Sequence, residues 1–236
     1  MPTSSWSARA YSFFDTLLWI ACLNMLWLAF TILGLGVLGA GPATAAAQIL
    51  VRRRATGEAA RLLPGFAREY FRNFVRGNAL ALPVMGVAVA LAMNWNYFAG
   101  AGGLLAQLAA AATFVGAIFV TGAVCYLFPM FARYELPLPQ YFLMASRFAL
   151  RHLAGTVILL FVSAAVVYAS GAVPGLIPFF SVGAWLFLTG WLCDSFFTAN
   201  DDAMAAIAEQ QQQAGRVDHP APASPARPKQ GALEPA

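Results

Sequence analysis

The sequence predicts an all-α fold, a polytopic membrane helix bundle with five transmembrane helices and short amphipathic cytoplasmic helices. Apolar residues make up 60% of the 236 residues and charged residues only 10%, whereas a soluble domain carries about 25% charged residues. No Asp, Glu, Lys, Arg or His occurs in residues 16–51, 77–132 and 153–193. Because one crossing takes about 20 apolar residues, these three stretches hold one, two and two crossings.

The first span is predicted from Phe14 to Leu38, and a run of glycines loosens its end. Pro42 then suits the first turn of a new helix. The segment Pro42–Val51 reaches only about 15 Å at 1.5 Å per residue, which is too short to cross. We therefore expect a short helix near the cytoplasmic boundary, whose alanines allow close packing against another helix.

A second short helix is predicted from Pro64. Its apolar residues and its arginines fall on opposite arcs at 100° per residue, which is typical of an amphipathic helix. The apolar arc comprises Leu63, Phe66, Ala67, Tyr70, Phe71 and Phe74, and the basic arc comprises Arg68, Arg72 and Arg76. Arginines four residues apart repel one another unless a negative group lies alongside. We expect anionic lipid headgroups there, with an acidic partner surface as the alternative.

Four further spans follow, each with its ionisable residues at or near its ends. They are predicted over Asn78–Ala99, Leu104–Phe128, Leu153–Ala172 and Ile177–Phe197. Turns at Gly100–Gly103 and Ser170–Gly175 separate them on the outer side. From Ile207 the composition predicts a disordered Gln/Pro/Ala-rich cytoplasmic tail. The chain is thus divided into a membrane domain, residues 1–206, and a tail, residues 207–236.

The basic residues predict the orientation of the chain. Of fourteen Lys and Arg, seven lie between Arg52 and Arg76, three between Arg133 and Arg151, and three in the tail. Because basic loops stay cytoplasmic, we predict a multi-pass protein of the bacterial plasma membrane with its N-terminus outside and its C-terminus cytoplasmic. Asp15 and Asp194 flank the first and last spans and are then expected at opposite faces.

Two segments also resemble each other at an offset of 75 residues. Four positions match, pairing Pro64, Phe66, Arg72 and Arg76 with Pro139, Tyr141, Arg147 and Arg151. Each set leads into a predicted span, which suggests the hypothesis of a duplicated unit.

The sequence contains none of the usual catalytic motifs, so we predict a protein that is not an enzyme and needs no metal or cofactor. Only His152 and His219 are histidines, and the three cysteines are expected to be small buried hydrophobes. Gly34–Gly39 spells GxGxxG, but a dinucleotide site needs a strand before it. We expect a flexible joint or a close helix contact there instead. Nucleic acid is not expected, because topology explains the positive charge.

Basic residues at the cytoplasmic boundary are the candidate lipid- or partner-binding residues. They are Arg52, Arg53, Arg54, Arg68, Arg72, Arg76, Arg133, Arg147 and Arg151. Asn24 lies in the middle of the first span, where a buried amide needs a partner. We expect an interhelical hydrogen bond, and the alternative is a substrate path formed with Gln107 and the glycine joint.

Several segments resemble the YesL-like family of bacterial membrane proteins. They are Leu23–Trp27, Gly39–Ala46, Gly65–Phe74, and Tyr126–Pro129 together with Arg133–Glu135. The motif positions singled out are Asn24, Trp27, Gly41, Pro42 and Phe74. The resemblance covers about Tyr11–Asn200 and departs at Thr31–Gly34, which lacks the family's proline.

The resemblance implies five spans and an association with carbohydrate-utilisation systems beside sugar ABC transporters. The leading hypothesis is therefore a non-enzymatic accessory protein that binds a membrane partner such as a sugar ABC transporter. The alternative is a small transporter or channel in its own right.

Overall fold

A computed structural model describes residues 4–58 and 61–218, and these residues form helices without a strand. The helices are α1 Ser4–Leu33, α2 Val37–Ala55, α3 Leu62–Arg72, α4 Phe74–Ala99, α5 Leu104–Arg133, α6 Leu138–Arg151, α7 Leu153–Ala172 and α8 Val182–Asp218, with a π-helical stretch, Ile177–Ser181, before α8. Five segments are long and apolar enough to cross a membrane, namely Arg9–Leu33, Phe74–Ala99, Leu104–Arg133, Leu153–Ala172 and Ile177–Gln211. The predicted all-α fold with five such helices is confirmed.

The first predicted span ends earlier than expected. α1 stops at Leu33 and α2 starts at Val37, before the predicted start at Pro42, which lies inside the helix. Leu35 and Gly36 have φ of 61° and 75°, and this left-handed backbone turns the chain sharply. The hydrophobic run is continuous across the turn, so hydropathy alone did not locate it.

α2 runs back along α1 as an antiparallel neighbour. Near one end Trp27 Nε1 donates to Thr44 Oγ1 at 3.0 Å, and at the other Arg54 pairs with Asp15 at 2.7 Å. With 19 residues, α2 is about 28 Å long at 1.5 Å per residue. The predicted short helix at the boundary beyond α1 is therefore wrong in length and in place. Because three arginines end this helix, the sequence did not reveal that it is almost as long as a membrane crossing.

Small residues make α2 the most enclosed helix of the bundle. Its buried residues are Gly39, Gly41, Pro42, Ala43, Ala45, Ala46, Ala47, Gln48, Leu50 and Val51. A Cβ added to Gly41 would lie 2.6 Å from the carbonyl oxygen of Gly77 on α4, so the two backbones nearly touch. On another side Gln48 Nε2 donates to the Leu186 carbonyl of α8 at 3.1 Å. The close packing predicted from the alanines is confirmed.

Asp15 and Asp194 lie at the same end of the bundle. Asp15 pairs with Arg54 of α2, and Asp194 pairs with Arg133 of α5 at 2.7 Å. Arg52, two residues before Arg54, donates to the Arg133 carbonyl at 3.2 Å, which joins the two pairs. The expectation that the two carboxylates lie at opposite faces is wrong, because it counted α2 as too short to return the chain.

The two segments that resemble each other share an order of elements, but at the offset of 75 their breaks lie four residues out of register, so the duplicated unit stays a hypothesis. α3 is followed by a break at Asn73 and then α4, while α6 is followed by a break at His152 and then α7. The buried Phe66 and Tyr70 of α3 correspond at the offset of 75 to the buried Tyr141 and Ala145 of α6. The amphipathic prediction for α3 holds in part, because its apolar arc also contains the exposed Leu63 and Phe71.

The described residues from Phe197 to Asp218 belong to a second compact unit. It is helical through Asp218, so the predicted tail boundary at Ile207 is not where the helix ends. The segment around residues 203–214 is rich in Ala, Gln, Met and Glu, which favour helix. Residues 219–236, which hold most of the predicted tail, lie outside the described residues.

Candidate functional site

An open cavity of about 540 Å³ lies where the last turn of α2, the junction of α3 with α4, and the connection from α5 to α6 meet. We call it the basic cavity, because five of its lining residues are arginines, namely Arg52, Arg53, Arg72, Arg76 and Arg133. Glu58 and Glu135 also line it. Five of the nine predicted binding arginines, far apart in sequence, thus converge on one space.

A buried carboxylate holds one wall of the basic cavity together. The side chain of Glu69 is only 1% exposed, yet it pairs with Arg53 at 2.8 Å and with Arg72 at 2.6 Å. Asn73 Nδ2 also donates to Glu69 Oε2 at 3.2 Å. A buried carboxylate is costly unless it is paired and hydrogen-bonded, and here α2 and α3 meet that need jointly.

Glu69 is a residue that sequence reasoning missed. It is the one acidic residue between Arg61 and Arg76, and its spacing of three from Arg72 was the available signal. The negative group expected beside Arg72 is thus supplied by the protein itself. Anionic lipid remains a prediction for the exposed Arg68 and Arg76.

Arg52 is fixed by backbone carbonyls instead of a carboxylate. Its Nη1 donates to the carbonyl oxygens of Ala132 at 2.7 Å and Arg133 at 3.2 Å, at the C-terminal end of α5. That end of a helix carries a partial negative charge, which favours a cation. The buried Nε of Arg52 has no hydrogen-bond partner among the described residues.

The other four predicted arginines do not line the cavity. Arg54 pairs with Asp15 and stacks over the Trp19 ring with 4.9 Å between its guanidinium carbon and the ring centroid. Arg68, Arg147 and Arg151 are exposed on α3 and α6. The basic residues therefore divide into a cavity set, one structural pair and three exposed cations.

Asn24 serves the packing of α1 against the start of α8. Its Nδ2 donates to the carbonyl oxygens of Ile177 and Pro178 at 3.2 and 2.5 Å. Its Oδ1 accepts from the Gly183 amide at 2.8 Å. The predicted interhelical hydrogen bond is confirmed, and both ends of the amide are engaged by backbone. Gln107, which the alternative substrate path would also use, is exposed near the start of α5.

The remaining motif positions also pack the helices. Trp27 bonds to Thr44, Gly41 and Pro42 lie against Gly77, and Phe74 contacts Tyr70 with ring centroids 5.7 Å apart. These contacts account for the small or aromatic residue at each position.

The glycine turn and the cysteines complete the predicted positions. A Cβ added at Gly34 would clash with the Gly39 backbone, which agrees with the expected close contact. Cys125 and Cys193 are buried as predicted, but Cys22 on α1 is exposed, so the expectation is wrong for Cys22. In the described part of the chain no group of three His, Cys, Asp or Glu residues could hold a metal.

Comparison with known proteins assigns the family. A family model described as "Protein of unknown function, DUF624" matches residues 20–95, which include Asn24, α2 and Glu69. Uncharacterized protein YesV of Bacillus subtilis (strain 168) is 32% identical over 162 residues, covering 68% of this chain and 78% of that protein. Uncharacterized protein YteU of the same strain is 30% identical over 175 residues, covering 74% and 78%. No solved structure matches. The chain is therefore a member of the DUF624 family.

Proposed function

We propose that this protein is a non-enzymatic accessory component of the bacterial plasma membrane that binds a partner membrane protein through its cytoplasmic arginines. The observation behind the proposal is that eight of the nine candidate arginines either line one open cavity or are exposed on the short helices α3 and α6. A concentration of cations at one end is an electrostatic footprint that an acidic partner surface or an anionic bilayer surface complements.

The proposal puts the basic cavity on the cytoplasmic side, because basic segments next to membrane spans stay inside. The start of α1 lies at that same end, since Asp15 pairs with Arg54. The N-terminal part of α1 is then cytoplasmic as well, instead of outside as predicted from five crossings, while the C-terminus stays cytoplasmic. In this arrangement α2 returns the chain as a sixth crossing.

The partner class comes from a resemblance, not from the cavity. The YesL-like motifs imply an association with carbohydrate uptake, so a sugar ABC transporter is the proposed partner. Transport by this chain itself gains no support from Asn24, because backbone groups engage both ends of its amide.

Affinity purification from the native host in a mild detergent tests the proposal. The variants Arg68→Glu and Arg147→Glu each reverse an exposed charge on the interfacial helices, where no described residue pairs with it. The control Arg9→Glu makes the same change of charge at an exposed position on α1. Mass spectrometry identifies and quantifies the proteins that co-purify with each form.

The expected result is a transport protein that co-purifies with the unaltered chain and with Arg9→Glu, and is reduced severalfold by Arg68→Glu or Arg147→Glu. If the protein is recovered alone, or if all three variants retain the same partner equally, the proposal is wrong.

A further inference from the structure

Not every arginine of the basic cavity is paired with a carboxylate. Arg53 and Arg72 share Glu69, and Arg53 also lies 3.8 Å from Glu58. Arg133 pairs with Asp194, and Glu135 lines the cavity as well. For the other two arginines, Arg52 and Arg76, no carboxylate of the described residues lies within ion-pair distance. Two guanidinium groups that line the same space are therefore available to an anion from outside.

Several neutral hydrogen-bonding groups of the cavity wall are already engaged. The Tyr141 hydroxyl donates to the Tyr134 carbonyl at 2.6 Å and accepts from the Leu136 amide at 2.9 Å. Asn73 Nδ2 donates to Glu69, and Thr56 Oγ1 donates to the Arg53 carbonyl at 3.1 Å. This leaves the guanidinium groups of Arg52 and Arg76 as donors for an incoming ligand, and such groups suit an oxyanion.

From these observations we propose that the basic cavity binds a phosphate group between Arg52 and Arg76. A guanidinium presents its N–H donors in a planar fork that matches phosphate oxygens. Arg52 is already oriented by the carbonyls at the end of α5, so little of its side-chain freedom remains to be lost on binding. Arg76 is exposed and lines the cavity from α4.

The dimensions of the cavity fit a small phosphate-bearing molecule or a single headgroup. Ligand sites range over roughly 300–1,000 Å³, and this cavity of about 540 Å³ is open to its surroundings. The phosphate can come from a phospholipid headgroup or from a soluble phosphate ester. The inference rests on the proposed function, because it assigns a ligand to the same cytoplasmic arginines.

Calorimetric titration of the purified full chain in a neutral detergent tests binding of a free phosphate. Potassium phosphate is the probe, and potassium chloride at equal ionic strength is the blank. We expect saturable binding that Arg76→Gln weakens about tenfold or more, since hydrogen bonds to charged groups are strong. The control Arg147→Gln, an exposed arginine outside the cavity, is expected to bind like the unaltered chain.

A second arm tests the lipid source with the same variants in nanodiscs. Discs of phosphatidylcholine are compared with discs that also contain phosphatidic acid, and the thermal unfolding midpoint is measured. A rise with phosphatidic acid that Arg76→Gln removes and Arg147→Gln retains identifies a lipid headgroup. Phosphate binding in detergent without that rise identifies a soluble ester.

Absence of both effects, or equal effects of Arg76→Gln and Arg147→Gln, overturns the inference. Because Arg76→Gln leaves the contacts of Arg52 intact, the variant can be checked for an unchanged unfolding midpoint without ligand. Partner capture needs neither probe, so a chain that captures its partner but ignores phosphate overturns this inference alone. The reverse result overturns only the proposed function.

Discussion

The contact between α2 and α4 predicts that substitution by alanine affects stability differently at two glycines of α4, Gly77 and Gly86. Gly77 faces α2, and a Cβ there would lie 2.8 Å from both Cα and N of Pro42 and 3.1 Å from the carbonyl carbon of Gly41. These are backbone atoms, which cannot rotate away as a side chain can. A Cβ at Gly86, further along α4, would meet no atom within 4 Å.

The difference between the two variants isolates the cost of the contact. Both substitutions gain about the same helix propensity, up to roughly 1 kcal/mol, so this gain cancels in the comparison. Overpacking costs about 1–3 kcal/mol. Gly77→Ala should therefore unfold more easily than Gly86→Ala by that amount, which corresponds to about 2–4 °C for each kcal/mol in a chain of this size.

Thermal unfolding of the two variants in the same detergent measures the difference, with the unaltered protein as reference. Gly86→Ala should match or slightly exceed the reference. Equal midpoints for both variants would show that α2 does not press against α4 and would refute the packing described for the central helix.

Three further substitutions test the buried polar groups by the same unfolding measurement. Asn24→Leu should lower the free energy of unfolding by about 1–3 kcal/mol, because it leaves the buried backbone amide of Gly183 unpaired. The control Asn96→Leu, at an exposed position, should change it by no more than about 0.5 kcal/mol. Equal losses would contradict the role of Asn24. Glu69→Ala should lower the free energy of unfolding by about 1–3 kcal/mol. Glu58→Ala, which removes an exposed ion pair, should lower it by at most about 1 kcal/mol. A larger loss for Glu58→Ala than for Glu69→Ala would contradict the role of the buried carboxylate. Trp27→Phe keeps an aromatic side chain but loses the donor to Thr44 of α2 and part of the indole packing, so it should lower the free energy of unfolding by at least about 0.5–1.5 kcal/mol. An unchanged midpoint would rule out that bond.

Spans without internal charge were predictable from the sequence. α7 coincides with its predicted range, Leu153–Ala172, and the turn between α4 and α5 falls at the predicted glycines. In these segments the uninterrupted apolar stretch is about as long as one membrane crossing. Local composition was sufficient because nothing in those segments depends on a distant partner.

α2 was not predictable by the same reasoning, because its role depends on what surrounds it. Its glycines and alanines and its terminal arginines give it little hydropathy of its own. Only the contacts with Gly77 and Leu186 reveal that its small residues are enclosed. Such a helix is recognised by close neighbours more than by apolar character.

The arginines of the basic cavity were predictable from the sequence, but their arrangement around one space was not. The arginines were identified individually from their position at the membrane boundary, but the convergence of Arg76 with Arg133 depends on how α4 and α5 cross. Glu69 escaped notice because an acidic residue in an amphipathic helix normally faces water. The ion pairs Arg53–Glu69 and Arg133–Asp194 join residues far apart in the sequence, and no local sequence pattern specifies them.

The location of the start of α1 tests the central claim most directly, namely that α2 returns the chain to the basic end. In a chain without its native cysteines, Tyr11→Cys, Glu135→Cys and Gly102→Cys report the start of α1, the cavity and the α4–α5 turn. An impermeant maleimide applied to intact cells should label position 102 alone, and should reach positions 11 and 135 only after the membrane is permeabilised. Labelling of position 11 in intact cells while position 135 stays protected would contradict the account.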